Sequence, residues 1–173
     1  MKKKILVLIV FVLIIILLIN IFNNKKNEGN KIPTFNSDIV CTKDINEIDD
    51  EGDEIKSKSI IYIDQNDEYI SKLTYVSIVE SDFPTSYKSL VDSVMDMYNN
   101  IDGIKAYSVI EDKKIASIVE YTFRNLDLNK LKREMGDILE SNSVFMNIDE
   151  LPIKYDYYKD NYLKGYECKQ KND

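Results

Sequence analysis

Residues 55–80 read "IKSKSIIYIDQNDEYISKLTYVSIVE". Two runs rich in Ile, Val, Tyr, Thr and Ser flank a polar separator, Gln65-Asn66-Asp67. β-branched and aromatic residues suit a pleated, half-buried surface, and a short Asn/Asp-containing separator suits a tight turn. The stretch reads as a β-hairpin. In its second strand Leu73, Tyr75 and Val79 share a register with Ser71 and Ser77. The alternation is imperfect and assigns no face.

The neighbouring segments extend this pattern on both sides. "SDIVCTKD" (37–44) is a short strand carrying Cys41, and "INEIDDEGDE" (45–54) is an acidic loop. Downstream, "FPTSYKSLVDSVMDMYNNIDG" (83–103) changes period. Tyr87, Leu90, Val91, Val94 and Tyr98 fall at i, i+3, i+4, i+7 and i+11, one stripe of a helix, with Met95 and Met97 on or beside it as packing residues. Pro84 suits the first turn and Gly103 lies past the end. "IKAYSVI" and "IASIVEYTF" then flank "EDKK" as a second hairpin. In "LDLNKLKREMGDILE" (126–140), Leu128, Leu131, Met135, Ile138 and Leu139 share a helical face, with Asp127 as N-cap. "DELPIKYDYYKDNYLKG" (149–165) reads as a third, weaker helix closing at Gly165, and "YECKQ" as a short extended tail.

The expected order is β-β-β-α-β-β-α-α-β. Runs of strands followed by helices predict an α+β fold, an antiparallel sheet packed by helices on one face.

The N-terminus adds a different element. "MKKK" (1–4) precedes "ILVLIVFVLIIILLINIF" (5–22), in which Asn20 is the one polar residue. Eighteen helical residues span roughly 27 Å, close to the hydrocarbon thickness of a bilayer. The run has no small-residue cleavage site and no cysteine at its end. It reads as an uncleaved transmembrane signal anchor, apolar all round rather than on one stripe. Residues 23–37, polar with Gly29 and Pro33, read as a flexible tether, and residues 38–173 as the folded domain. All 30 acidic residues follow position 26 with 18 of the 23 Lys/Arg, so that portion carries −12. Lys2, Lys3 and Lys4 place the N-terminus in the cytoplasm and the acidic domain outside the cell membrane. An acidic surface of this kind repels DNA and RNA. The bias toward Ile, Asn, Lys and Asp fits the AT-rich coding sequence of a low-GC bacterium.

The order of elements and some local sequence resemble the YehR-like family of small bacterial lipoproteins. The similarity is carried by "NNIDGIKAYSVIEDKKIASIVEYTFRNLDLNKLKRE" (99–134), by the pattern of "YIDQNDEYISKLTYVSIVE" and by the ending "LKGYEC", over roughly residues 55–169. The resemblance implies the same α+β domain. It implies no catalytic or binding residue. That family is anchored by a lipidated N-terminal cysteine, where this chain has an apolar helix.

The chemistry the chain can host is limited. With no His there is no Ser-His-Asp triad, no Cys-His dyad and no His-ligated metal. Five scattered glycines make no phosphate loop, and no cofactor is expected. Paired carboxylates leave an envelope hydrolase as the enzymatic alternative, with a passive structural or stress-related envelope protein as a third reading. The expectation is a noncatalytic binding or envelope-assembly module whose partner is another envelope protein or a cell-wall polymer.

Three groups of residues are singled out. Residues 44–54 hold seven acids, and Asp49, Asp50, Glu51 and Asp53 are weak divalent-cation candidates. Aligned as an EF-hand on Gly52, the stretch would put Lys58 where a bidentate Glu is needed, so that motif is excluded and a solvated loop is the plainer reading. Tyr155, Tyr158 and Tyr162 form one helical face, either a partner surface or packing on the sheet. Lys130, Lys132 and Arg133 make a local basic face, a docking point for an anionic polymer or a solvated helix surface. Finally, Cys41 and Cys168 are the only cysteines. In a non-reducing compartment they pair most simply as one disulfide, which requires Cα atoms within roughly 7 Å.

Overall fold

The computed structural model describes residues 31–48, 54–136 and 151–171. The chain forms β1 (Ile39–Ile48), β2 (Glu54–Asn66), β3 (Tyr69–Glu80), α1 (Pro84–Asn99), β4 (Ile104–Glu111) and β5 (Lys114–Thr122). A 3-10 turn (Phe123–Asn125), α2 (Leu128–Met135), α3 (Tyr155–Tyr162) and β6 (Glu167–Gln170) follow. The fold is α+β, a six-stranded antiparallel sheet in the order β4-β5-β3-β2-β1-β6. Both expected hairpins are present. Their turns hold Asp67 and Asp112 at positive φ, a conformation that Asp tolerates better than most residues.

β1 is longer than its sequence suggests. It runs through Asp44 and Ile45 to Ile48 instead of giving way to a loop. Asp44 gains a basic neighbour across the ladder, since it pairs with Lys58. The Asp44 carboxylate stands 3.7 Å from Lys58 Nζ. Opposite charges placed directly across an antiparallel pair favour that register.

Both faces of the sheet are covered. On the helix side Ile39, Cys41, Ile61, Ile63, Leu73 and Tyr121 meet Met95 and Tyr98 of α1, Leu131 and Met135 of α2, and Tyr155 and Tyr158 of α3. The outer side buries a second cluster of Tyr62, Val76, Val109, Ala116 and Ile118. Ile32 and Phe35 pack on that cluster. The Phe35 and Tyr62 rings meet edge-on at 5.1 Å. Ile32 N–H donates to Glu111 Oε2 at 3.0 Å, on the far edge strand β4. Residues 32–37, which composition groups with the tether, therefore form a strap from β1 across the outer face to β4. Six residues near full extension reach about 20 Å, the width of four inter-strand gaps.

Two local devices position α1. Pro84 occupies its first turn, where a missing N–H costs nothing. At its end the Asn99 side chain donates to Ala106 O and accepts from Ala106 N–H, both at 2.7 Å. The amide thus stands in for a strand partner on the edge strand β4. Gly103 follows at φ +84°, and a Cβ there would lie 2.6 Å from the Leu126 backbone. Asp127 caps α2 as expected, accepting from Lys130 N–H at 2.9 Å.

Candidate functional site

The cysteine pair lies at the opposite edge of the sheet from α1. Cys41 and Cys168 are directly opposite in the β1–β6 register and form a disulfide, with Cα atoms 4.0 Å apart. Cys41 is fully buried, while all four residues of β6 are exposed. The bond fastens a thin terminal strand to the core. Just before it, Tyr166 and Ser59 hydroxyls share a hydrogen bond of 2.8 Å, which seats the turn after α3 on the sheet.

The tyrosine face of α3 is divided. Tyr155 and Tyr158 belong to the core and Tyr162 is half-buried, stacked on Tyr158 at 5.7 Å. Burial raises the phenol pKa of Tyr158 well above its ordinary value, and that of Tyr121 beside it, where the Tyr98 phenol adds to the effect. On the basic face of α2, Lys130 Nζ donates to Asn100 O at 2.6 Å and Arg133 reaches Glu134 at 3.5 Å. Asp49, Asp50, Glu51 and Asp53 lie outside the described residues. Among the described residues no group of three or more His, Cys, Asp or Glu is arranged to hold a metal ion.

The surface that departs most from its surroundings is on α1. Phe83, just before the helix, is 71% exposed, Leu90 66%, Tyr87 54% and Met97 41%. They are four of the six large apolar side chains exposed among the described residues. With half-buried Val94 they form one continuous line along the helix. The sequence pattern puts Tyr87 and Leu90 on the buried stripe with Val91, Val94 and Tyr98. The structure rotates the helix so that Met95 and Tyr98 enter the core and Tyr87 and Leu90 stay out. Both stripes are apolar, so periodicity alone could not choose between them. The spacing of Phe83 before the helix was the available signal, because it extends only the exposed line.

α1 docks on the edge strand through the flank opposite that line. Lys88 Nζ lies 2.6 Å from Asp92 Oδ2 and donates to Ser108 Oγ at 3.2 Å, and the Ser108 hydroxyl donates to the other carboxylate oxygen. The Lys88 ammonium, and secondarily Ser108, hold the Asp92 carboxyl below the usual range. Ser108 ends a row across the helix-side face that starts at Lys43 on β1 and continues through four serines, Ser59, Ser77, Ser117 and Ser108 on β2, β3, β5 and β4. The outward neighbours of the exposed line of α1, Thr85, Ser86, Ser89 and Ser93, carry no charge.

Two other features bear on chemistry. Asp64 is the described carboxylate whose pKa is raised, by burial first and by Asp38 second, with Lys72 and the Asp38 N–H opposing. A cleft of about 490 Å³ opens beside the β2–β3 turn, with Tyr69, Ile70, Phe123, Arg124, Leu151 and Pro152 in its lining.

Fold and disulfide together define a class: a small, cross-linked α+β domain suited to an oxidising, extracytoplasmic compartment. No protein-family model matches the chain, and none of the curated proteins does. Among solved structures, the chain is similar to the NMR structure of a protein from Streptococcus pneumoniae TIGR4. The identity is 13%, the alignment covers 81% of this chain and 93% of that one, and the TM-score is 0.46. Among the described residues no helix is long and apolar enough to cross a membrane, and residues 5–22 lie outside them.

Proposed function

We propose that this protein is a noncatalytic binding or assembly module of the bacterial envelope. In this reading residues 5–22 anchor it in the cell membrane, with the N-terminus cytoplasmic and the domain outside, and it is kin to the YehR-like lipoproteins. The observation that carries the binding role is the exposed apolar line of Phe83, Tyr87, Leu90 and Met97. A chain with 31% charged residues gains nothing for its own stability from leaving such a line in water. The disulfide supports the location.

The polar groups near α1 support the absence of catalysis. Ser108 donates to an ionised carboxylate, and Asp92, held below the usual range, is a poor base. The rival reading, a carboxylate-dependent hydrolase, would rest on Asp64 and Asp38, where burial and then the Asp38 charge raise the Asp64 pKa against the opposing pull of Lys72 and the Asp38 N–H.

Crosslinking in intact cells followed by mass spectrometry tests the binding role. The double variant Phe83→Asp/Leu90→Asp is expected to lose the crosslinked species that wild type forms, with no change in thermal midpoint. Retention of every species at wild-type yield would refute the role of this surface.

A further inference from the structure

The exposed line of α1 has a defined period. Phe83, Tyr87, Leu90, Val94 and Met97 follow one another in steps of four, three, four and three. That is the 3.5-residue repeat of a coiled-coil seam, with Tyr87 and Val94 at one core position and Phe83, Leu90 and Met97 at the other. The central pair puts a β-branched Val at the first and Leu at the second, the combination that favours two helices. A seam of this period fits a second helix better than an extended peptide or a sugar chain.

We propose that this helix belongs to a second copy of the same chain, so that α1 pairs with α1 of a neighbour in the membrane. The proposal rests on the binding-module reading and names its partner. Charge argues for it. The portion after residue 26 carries −12, so two copies repel each other across most of their surface. Along the seam that repulsion is absent. The exposed flanking positions, Ser86, Ser93 and Asn100, carry no charge, and on the other side Val91 and Tyr98 turn into the chain's own core. Lys88 and Asp92 neutralise each other against Ser108. An isologous contact brings each surface against itself, and an uncharged surface is the kind that meets its own image without a like-charge penalty. A basic partner would be drawn to the acidic faces instead.

Area fixes the conditions. The line is of the few-hundred-Å² order of a functional patch, below the roughly 800 Å² per partner of a stable soluble complex. Pairing through α1 is therefore weak in free solution and gains from anchors that confine copies to one plane, where the effective concentration is high.

The test uses the full chain in lipid bilayers with Leu90→Cys. The native cysteines are bonded to each other, so the new thiol is the single free one. Leu90 lies at the middle of the seam, so its counterpart lies directly opposite in a parallel pair and within one turn of it in an antiparallel pair centred on the seam. Mild oxidation is expected to give a disulfide-linked homodimer in at least about tenfold higher yield than Tyr157→Cys, an exposed site on α3, as effective concentration at a paired site predicts. Adding Met97→Glu should cut the yield. Unchanged thermal midpoints verify that the variants fold. Equal yields at both sites would overturn the proposal. Capture of a different protein by Leu90→Cys in cells would overturn self-pairing and leave the binding-module reading standing. Slow alkylation of the Leu90→Cys thiol in monomers, with no adduct formed, would show the chain covering its own seam and would overturn both.

Discussion

Removing the Cys41–Cys168 bond should reduce stability more than any other single change to an exposed residue. The cross-link joins positions 127 apart. In the chain-entropy account, closing a loop of that length restricts the unfolded chain by about 5 kcal/mol. The cleaner variant is Cys168→Ala, because Cys168 is exposed on β6 while fully buried Cys41 stays in place as a small apolar group. With a urea slope near 2 kcal/mol/M, the midpoint should fall by about 2–3 M. The structure also says where the loss arises. β6 buries none of its four residues, so it adds little packing of its own. Deleting residues 167–173 should therefore cost only about 1 kcal/mol beyond Cys168→Ala, from the lost β1–β6 hydrogen bonds. Equilibrium urea unfolding by circular dichroism, with and without reductant, measures both differences. A loss below about 1 kcal/mol for Cys168→Ala would refute the clasp, since such a loss is no larger than one hydrogen bond. A much larger loss on deletion would show that strand pairing, not the cross-link, holds the edge.

Three further expectations follow from particular residues. Gly103→Ala forces a Cβ to 2.6 Å from the Leu126 backbone at φ +84°, so it should destabilise by about 2–4 kcal/mol in thermal or urea unfolding. A fragment beginning at Asp38 loses Ile32 and Phe35 from the outer face, whereas one beginning at Lys31 keeps them. The shorter fragment should be less stable by about 2–4 kcal/mol and bind a hydrophobic dye, and equal stability would show that the strap does not pack. Buried Tyr121 and Tyr158 have folded pKa values raised above the ordinary value of about 10. Their neutral forms favour the fold, so this stability is complete below that pH and is lost as pH climbs toward the raised values. Tyrosinate absorbance should show a late ionisation step that coincides with loss of near-UV circular dichroism. Full ionisation of all twelve tyrosines in the folded domain would contradict it.

The disulfide and the local stops were legible because each depends on one or two residues. Two cysteines allow one intramolecular pairing. Gly103, Asp127 and Gly165 act through their own backbone or side-chain geometry, and the structure uses all three at helix or turn ends. The candidate surface was less legible. The sequence period groups Tyr87 and Leu90 with the core stripe of α1, and nothing in the order of residues says which of two overlapping apolar stripes a neighbour will cover. The tyrosine face of α3 had the same ambiguity, which packing resolved by burying Tyr155 and Tyr158.

By itself the sequence determined the α+β class, the order of elements and the two hairpins, because turn chemistry and hydrophobic period are local. Only the tertiary structure decided how the central sheet is sandwiched. Leu73 and Tyr75 face the helices, while Val76 and Ile78 face the strap. With apolar residues on both sides of β3 the period-two signal cancels. The strap that makes the outer face necessary is a short, polar-looking segment, and its role depends on a partner, Glu111, 79 positions away. Burial is a property of what packs against a residue, and that information is distributed over the whole chain.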